Sequence, residues 1–315
     1  MGCNNSSTSQ DLSTFEILGN NFTQEDLDQV RGRETEKSVL TKFPILGTNG
    51  ATVEPRHFPQ NLVNICLMCI NSKNAKGDND ITILNDGIFA AQHIKKIGYP
   101  IYYLINPSSM LYFTFLRLVL SHTSNNIILY VNGFCHDIDN DNLICFLDEE
   151  VPCRRFSSFL LSYKQNLSKV SLFFDVGHIK EKSLEPYSNF VSSEIPLNVV
   201  MVVIGFISTS QYGNQKIVKT QGYLTYSIFV ALHKNPNKTF NEVENEINAM
   251  IQQTGYKIQI AAQNNETREL PVMLNVFGRD DTEEMHAARL LTSHNNNQQS
   301  DSNNEPRVEH IENVA

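Results

Sequence analysis

The chain has 315 residues, 41% of them hydrophobic, which is enough for one large domain or two small ones with a real core. With 34 acidic against 25 basic residues and a net charge of −9, it lacks the clustered cation that neutralises a phosphate backbone, so nucleic acid is set aside as a partner. Six cysteines without a regular framework point to a reduced, intracellular protein, and no apolar run reaches the roughly 18–20 residues that cross a bilayer.

The first residues, Met1-Gly2-Cys3-Asn4-Asn5-Ser6, fit the N-myristoylation pattern, with Gly2 as acceptor and Ser6 at the favoured position. Cys3 is a natural palmitoylation site beside it, and two acyl chains make a stable anchor where one does not. Gly2 and Cys3 therefore predict a cytoplasmic protein tethered to the membrane leaflet. Residues 1–58 read as a polar tether with one amphipathic segment from Thr23 to Leu40, where Thr23 and Asp26 have capping-box spacing.

Residues 59–278 alternate strand-length apolar runs with helical patterns. Leu62 to Ile70 is a continuous apolar run, as in a strand covered on both faces. Leu84, Ile88, Ala91, Ile94 and Ile97 follow at helical spacing, and Gly98 ends that helix. Further strands are predicted at Ile101–Ile105, Ile127–Val131, Val170–Phe174, Val199–Phe206, Tyr256–Ala262 and Pro271–Phe277. Helices are predicted after Pro107 and over Gly222–Lys234 and Phe240–Gln253. This alternation predicts an α/β sandwich on a mainly parallel sheet, with ligand chemistry at the carboxyl ends of its strands. Residues 279–315, rich in Asn and Gln, carry too little apolar material to offset the entropy of ordering and read as a disordered tail.

The residues at two strand ends carry a resemblance. The third core strand runs into Tyr130-Val131-Asn132-Gly133-Phe134-Cys135-His136, and the fourth into Asp175-Val176-Gly177-His178. Their order resembles the caspase, metacaspase and legumain clan of cysteine peptidases, whose third strand ends in a Tyr-Ser-Gly-His-Gly-like motif and whose fourth ends in Asp-x-Cys-His-Ser-Gly. Asn85-Asp86-Gly87 is similar to the clan's Asn-Asp-Ala. Gln221-Gly222-Tyr223-Leu224-Thr225-Tyr226 is similar to its Gly-x-Phe-Thr element, Phe240-Asn241-Glu242-Val243 to the helix after it, and Gln263 to Pro271 to its Gln-x-Pro region. The resemblance implies a three-layer caspase-like sandwich with a six-stranded, mainly parallel sheet and helices on both faces.

Carried over residue by residue, the resemblance puts Gly133 at the catalytic histidine position and Gly177 at the nucleophile position. An imidazole activates a thiol by taking its proton, and glycine supplies neither group. The implied protein is a membrane-tethered pseudopeptidase, acting as a scaffold, decoy or regulator that holds peptide segments or a related active peptidase. The alternative is a divergent active endopeptidase using the exchanged pair Cys135 and His178. The resemblance also gives Asp175, retained from metacaspases, a role in holding a basic side chain of a bound peptide; a strand-end Asp also caps backbone amides, and both readings stand.

Other signals are weaker. Asp137, Asp139, Asp141 and Asp148 have calcium-loop-like spacing, but Asn142 and Asp148 stand where a calcium loop needs Gly and Glu, so Asp139 to Asn142 is read as a hairpin turn. Cys66-x-x-Cys69 lies within a predicted central strand and reads as core. Arg154-Arg155 reads as a solvated loop, and His93 and His122 as helix surface. No metal site and no cofactor are expected.

Overall fold

The computed structural model describes residues 24–138, 141–162, 169–176, 201–208, 222–235, 237–251, 256–262 and 268–273. All belong to one compact unit that ends at Val276. Gly2, Cys3, Ser6, Thr23, Gly177, His178, Gln221, Gln263 and the 279–315 tail lie outside them.

The elements, in order, are α1 (Gln24–Arg31), α2 (Glu36–Leu40), α3 (Phe43–Leu46), β1 (Thr48–Asn49), β2 (Leu62–Asn71), α4 (Thr82–Lys96), β3 (Ile101–Ile105), α5 (Ser109–His122) and β4 (Thr123–Gly133). There follow β5 (Cys135–Ile138), β6 (Asp141–Cys145), β7 (Glu150–Pro152), α6 (Cys153–Ser162), β8 (Lys169–Asp175), β9 (Met201–Ser208), α7 (Tyr223–Lys234), α8 (Phe240–Ile251) and β10 (Tyr256–Ala262). Among the described residues the main sheet has seven strands in the order β1-β3-β2-β4-β8-β9-β10, against the six that the resemblance implies. The addition is the two-residue β1, paired parallel with β3. Every pairing in this sheet is parallel except β9 with β10.

Strand periodicity explains the three layers. Along β2, Cys66, Met68 and Ile70 enter one core while Ile65, Leu67 and Cys69 enter the other. Ile128 and Tyr130 of β4 join the first core, and Ile127, Leu129 and Val131 join the second. Helices α4, α7 and α8 cover the first face, with Leu27 and Val39 of α1 and α2; α5 and α6 cover the second. Burying both faces is what makes these strands read as unbroken apolar runs.

Several expectations change. The 1–58 segment is folded from Gln24 onward, with Leu27, Val39, Phe43 and Phe58 buried in the cores. Its amphipathic stretch is two helices, and α2 starts afresh where the Thr35 side chain accepts from the Ser38 N–H at 3.3 Å. Arg154 and Arg155 stand in α6 instead of a loop. Over the described part of Pro271–Phe277 there is only an isolated bridge between Thr239 and Pro271. Cys66 and Cys69 are free and fully buried, and burial pushes both thiols well up, as core residues.

Candidate functional site

Because the strands are parallel, Asn71, Gly133 and Asp175 emerge at one edge of the sheet, with Asn71 paired to Gly133 and Asn132 to Asp175. The chain leaves β2 for β3 on one side and returns to β4 on the other, so this edge holds a switch in strand order, where α/β sheets form their ligand crevices.

At the end of β4, Gly133 is packed against β2. A Cβ built on it would lie 2.6 Å from Asn71 Cβ and 3.1 Å from the Asn71 carbonyl oxygen. The resemblance requires an imidazole here, and the Asn71 Cβ of the neighbouring strand occupies its first carbon's space. The buried Asn71 and Asn132 flank this contact; Asn132 Nδ2 donates to the Tyr130 hydroxyl at 2.9 Å.

Asp175 is fully buried and faces the start of α7. Its carboxylate accepts from the Gly222 N–H at 3.2 Å, the Thr225 N–H at 3.1 Å and the Thr225 hydroxyl at 2.5 Å. Gly222 sits at φ +89 and offers no side chain to cap the helix, so β8 supplies the cap from a distance. Of the two readings of Asp175, amide capping is the one its geometry follows. Burial and the nearby Asp86 charge push its pKa up to about 6, against the hydrogen bonds from Thr225 and Gly222.

The basic side chain at this sheet end is the chain's own Arg31. Its guanidinium meets Asp86 in a bidentate pair, Nε to Oδ1 and Nη2 to Oδ2, both at 2.8 Å, with side-chain exposures of 2% and 0%. Burial pushes the Asp86 carboxyl above its ordinary range against the pull of Arg31. For Arg31 burial is overcome by the Asp86 charge, with a further contribution from Asp175, and the guanidinium is held protonated. The glycine at 222 makes room: a Cβ there would stand 2.0 Å from Arg31 Nη2 and 3.1 Å from Asp86 Oδ2. A lone arginine closing a polar helix carried no sequence signal of such burial.

Directly after Gly133, β5, β6 and β7 form a small antiparallel sheet. Of Asp139–Asn142, read as the turn, Asp139 and Asn140 lie outside the described residues, while Asp141 and Asn142 stand in β6, paired with Ile138 and Asp137. Asp148 Oδ1 accepts from the Ser109 N–H at 2.8 Å, at the first turn of α5. Cys135 is half-buried, its thiol 3.8 Å from the His136 carbonyl; its exchanged partner, His178, is outside the described residues. A second group came together unforeseen. His136 Nδ1 stands 2.9 Å from Glu150 Oε1 and 3.3 Å from Cys145 Sγ. Cys145 and Glu150 are paired in register across the β6–β7 turn, and no sequence motif marks the group.

No known protein-family model and no curated protein sequence matches the chain. Solved structures it is similar to include the Drosophila initiator caspase Dronc, at 11% identity and a TM-score of 0.49 over 69% of this chain and 85% of that one. A Geobacter sulfurreducens protein of solved structure is similar at 9% identity and a TM-score of 0.45, over 69% of this chain and 100% of that one. Pro-sf-caspase-1 is similar at 8% identity and 0.39, over 60% and 81%. At these identities the residues at the strand ends carry the functional reading.

Proposed function

We propose that this protein is a caspase-like pseudopeptidase that acts by binding instead of hydrolysis, as a scaffold, decoy or regulator of peptide segments or of a related active peptidase. The observation that carries this is the packing of Gly133, which the resemblance sets at the histidine position and whose missing Cβ would fall on Asn71. Removing one member of a thiol–imidazole unit typically costs several orders of magnitude in rate. Gly177 at the nucleophile position supports the same reading from sequence. Acyl chains on Gly2 and Cys3 would hold the protein at the cytoplasmic leaflet; among the described residues no helix is long and apolar enough to cross a membrane.

The test is hydrolysis of Arg- and Lys-containing peptide reporters by the purified full chain. No turnover is expected. Turnover that disappears on Cys135→Ala would overturn the proposal in favour of a relocated dyad. The tether is read separately: Gly2→Ala should move the protein out of the membrane fraction, and unchanged fractionation would reject acylation.

A further inference from the structure

His136, Cys145 and Glu150 bring one nitrogen, one sulfur and one carboxylate oxygen to within 4.8 Å of one another, the only such cluster among the described residues. They come from three successive strands of the small sheet that follows Gly133, so their backbones are fixed by β pairing. Cys145 is 1% exposed, and the His136 and Glu150 side chains are 30% and 20% exposed, so the cluster is sheltered yet reachable.

The arrangement does not suit a proton relay. A relay sets the thiol and the carboxylate on opposite ring nitrogens, whereas here both meet Nδ1. Convergence on one nitrogen is what a chelate needs. Tetrahedral zinc, with Zn–N and Zn–O near 2.0–2.2 Å and Zn–S near 2.3 Å, separates its ligand atoms by about 3.2–3.6 Å. The observed 2.9 and 3.3 Å are within a few tenths of those spans.

A cation already sits at this place. The Lys76 ammonium is 2.6 Å from Glu150 Oε1 and 3.1 Å from His136 Nδ1, so the cluster already holds positive charge. Lys76 rides on the loop between β2 and α4 with its side chain 56% exposed, and can swing into water. Asp78 on the same loop adds negative charge near Cys145, and Cys135 lies close enough to act on it as well.

We propose that His136, Cys145 and Glu150 form a divalent-metal site suited to zinc, with Lys76 as the internal cation that the metal displaces and a fourth position left for water or a ligand group. The thiol, imidazole and carboxylate set matches a borderline-soft ion better than calcium or magnesium, which prefer all-oxygen cages. Binding releases the Cys145 proton to solvent, so affinity rises with pH. The proposal is independent of the pseudopeptidase reading.

The test is zinc titration of the metal-stripped full chain against a competing chelator, with melting temperature followed in parallel. One zinc per chain is expected, raising the melting temperature. His136→Gln and Glu150→Gln, each removing one ligand, should weaken binding by about 100-fold or more while the apo melting temperature stays near wild type. These partly exposed positions carry the test even if Cys145→Ser fails to fold. Where Cys145→Ser does fold, it should abolish the thiolate charge-transfer band of the cobalt-loaded protein. Lys76→Ala should tighten zinc roughly fivefold, since it removes the competing ion pair; a purely structural cluster gains nothing from that change. His57→Gln, at an exposed ring, should leave binding unchanged. No stoichiometric zinc, or equal zinc binding in wild type, His136→Gln and Glu150→Gln, overturns the site.

Discussion

Arg31→Ala strips Asp86 of its bidentate partner inside a site where neither side chain sees water. Breaking a buried pair from one side typically costs about 3–5 kcal/mol, because the remaining charge is left without compensation. An independent route gives a similar figure. The abandoned carboxylate can escape by taking a proton, and at about pH 7, some three units above an ordinary Asp, this costs about 4 kcal/mol at 1.36 kcal/mol per unit. The loss must then depend on pH. In the variant Asp86 is protonated when folded and ionised when unfolded, so the native state holds more protons and stability falls as pH rises above about 4. Near pH 5 the same escape costs only about 1.5 kcal/mol. Urea unfolding of wild type, Arg31→Ala, Asp86→Asn and the double variant at both pH values reads all of this, and the cycle isolates the pair. Gly222→Ala approaches it from the other side, since its Cβ would fall 2.0 Å from Arg31 Nη2. A loss under about 1 kcal/mol at neutral pH, or one of the same size at both pH values, would refute the buried ion pair.

Gly133→His should fail to generate hydrolysis and should lower stability by about 1–3 kcal/mol, the usual range for forcing atoms into a packed site; calorimetry and the peptide reporters check the two halves, and a stable, active variant would contradict the packing of Gly133 on Asn71. Asp175, with a folded pKa of about 6 against an ordinary carboxyl near 4, holds its proton longer in the native state, so this group makes stability fall as pH rises from about 4 to 6, by up to about 3 kcal/mol. Asp175→Asn should flatten that part of the pH profile; an unchanged slope would place its source elsewhere.

What could be read in advance follows from how local each signal is. The runs at Leu62–Ile70 and Ile127–Val131 announce doubly covered strands because each residue's apolarity is decided by the face it enters. β1 escaped because two residues, Thr48 and Asn49, carry no period at all. Pro152 and the paired charges of Arg154-Arg155 look like a loop in sequence, whereas Pro152 only closes β7 and α6 begins at Cys153. There the Arg155 guanidinium lies 4.9 Å from the Phe113 ring centre and pairs with Glu149. Arg31 is the extreme case: its burial depends on Asp86, 55 residues away, and on a glycine at 222.

That convergence bears on what the sheet end can still bind. A peptide presenting a basic side chain to Asp86 must first displace Arg31, which is tethered through α1 and competes at the effective concentration of an intramolecular group, of millimolar order or higher. If opening the pair costs about 4 kcal/mol, the competent state is populated about one part in 10³, and apparent affinity falls by the same factor. A basic peptide with an intrinsic micromolar affinity would then bind only near millimolar concentration. Arg31→Ala would not simply unlock the pocket, because it also neutralises the carboxylate that the peptide needs. The sheet end is therefore closed by its own satisfied charges, with Asp175 committed to α7 and Asp86 to Arg31. Under the proposed function, binding in trans would have to use surfaces outside this pair, and the His136, Cys145 and Glu150 cluster on the small sheet after Gly133 is one chemically equipped group among the described residues that lies outside it.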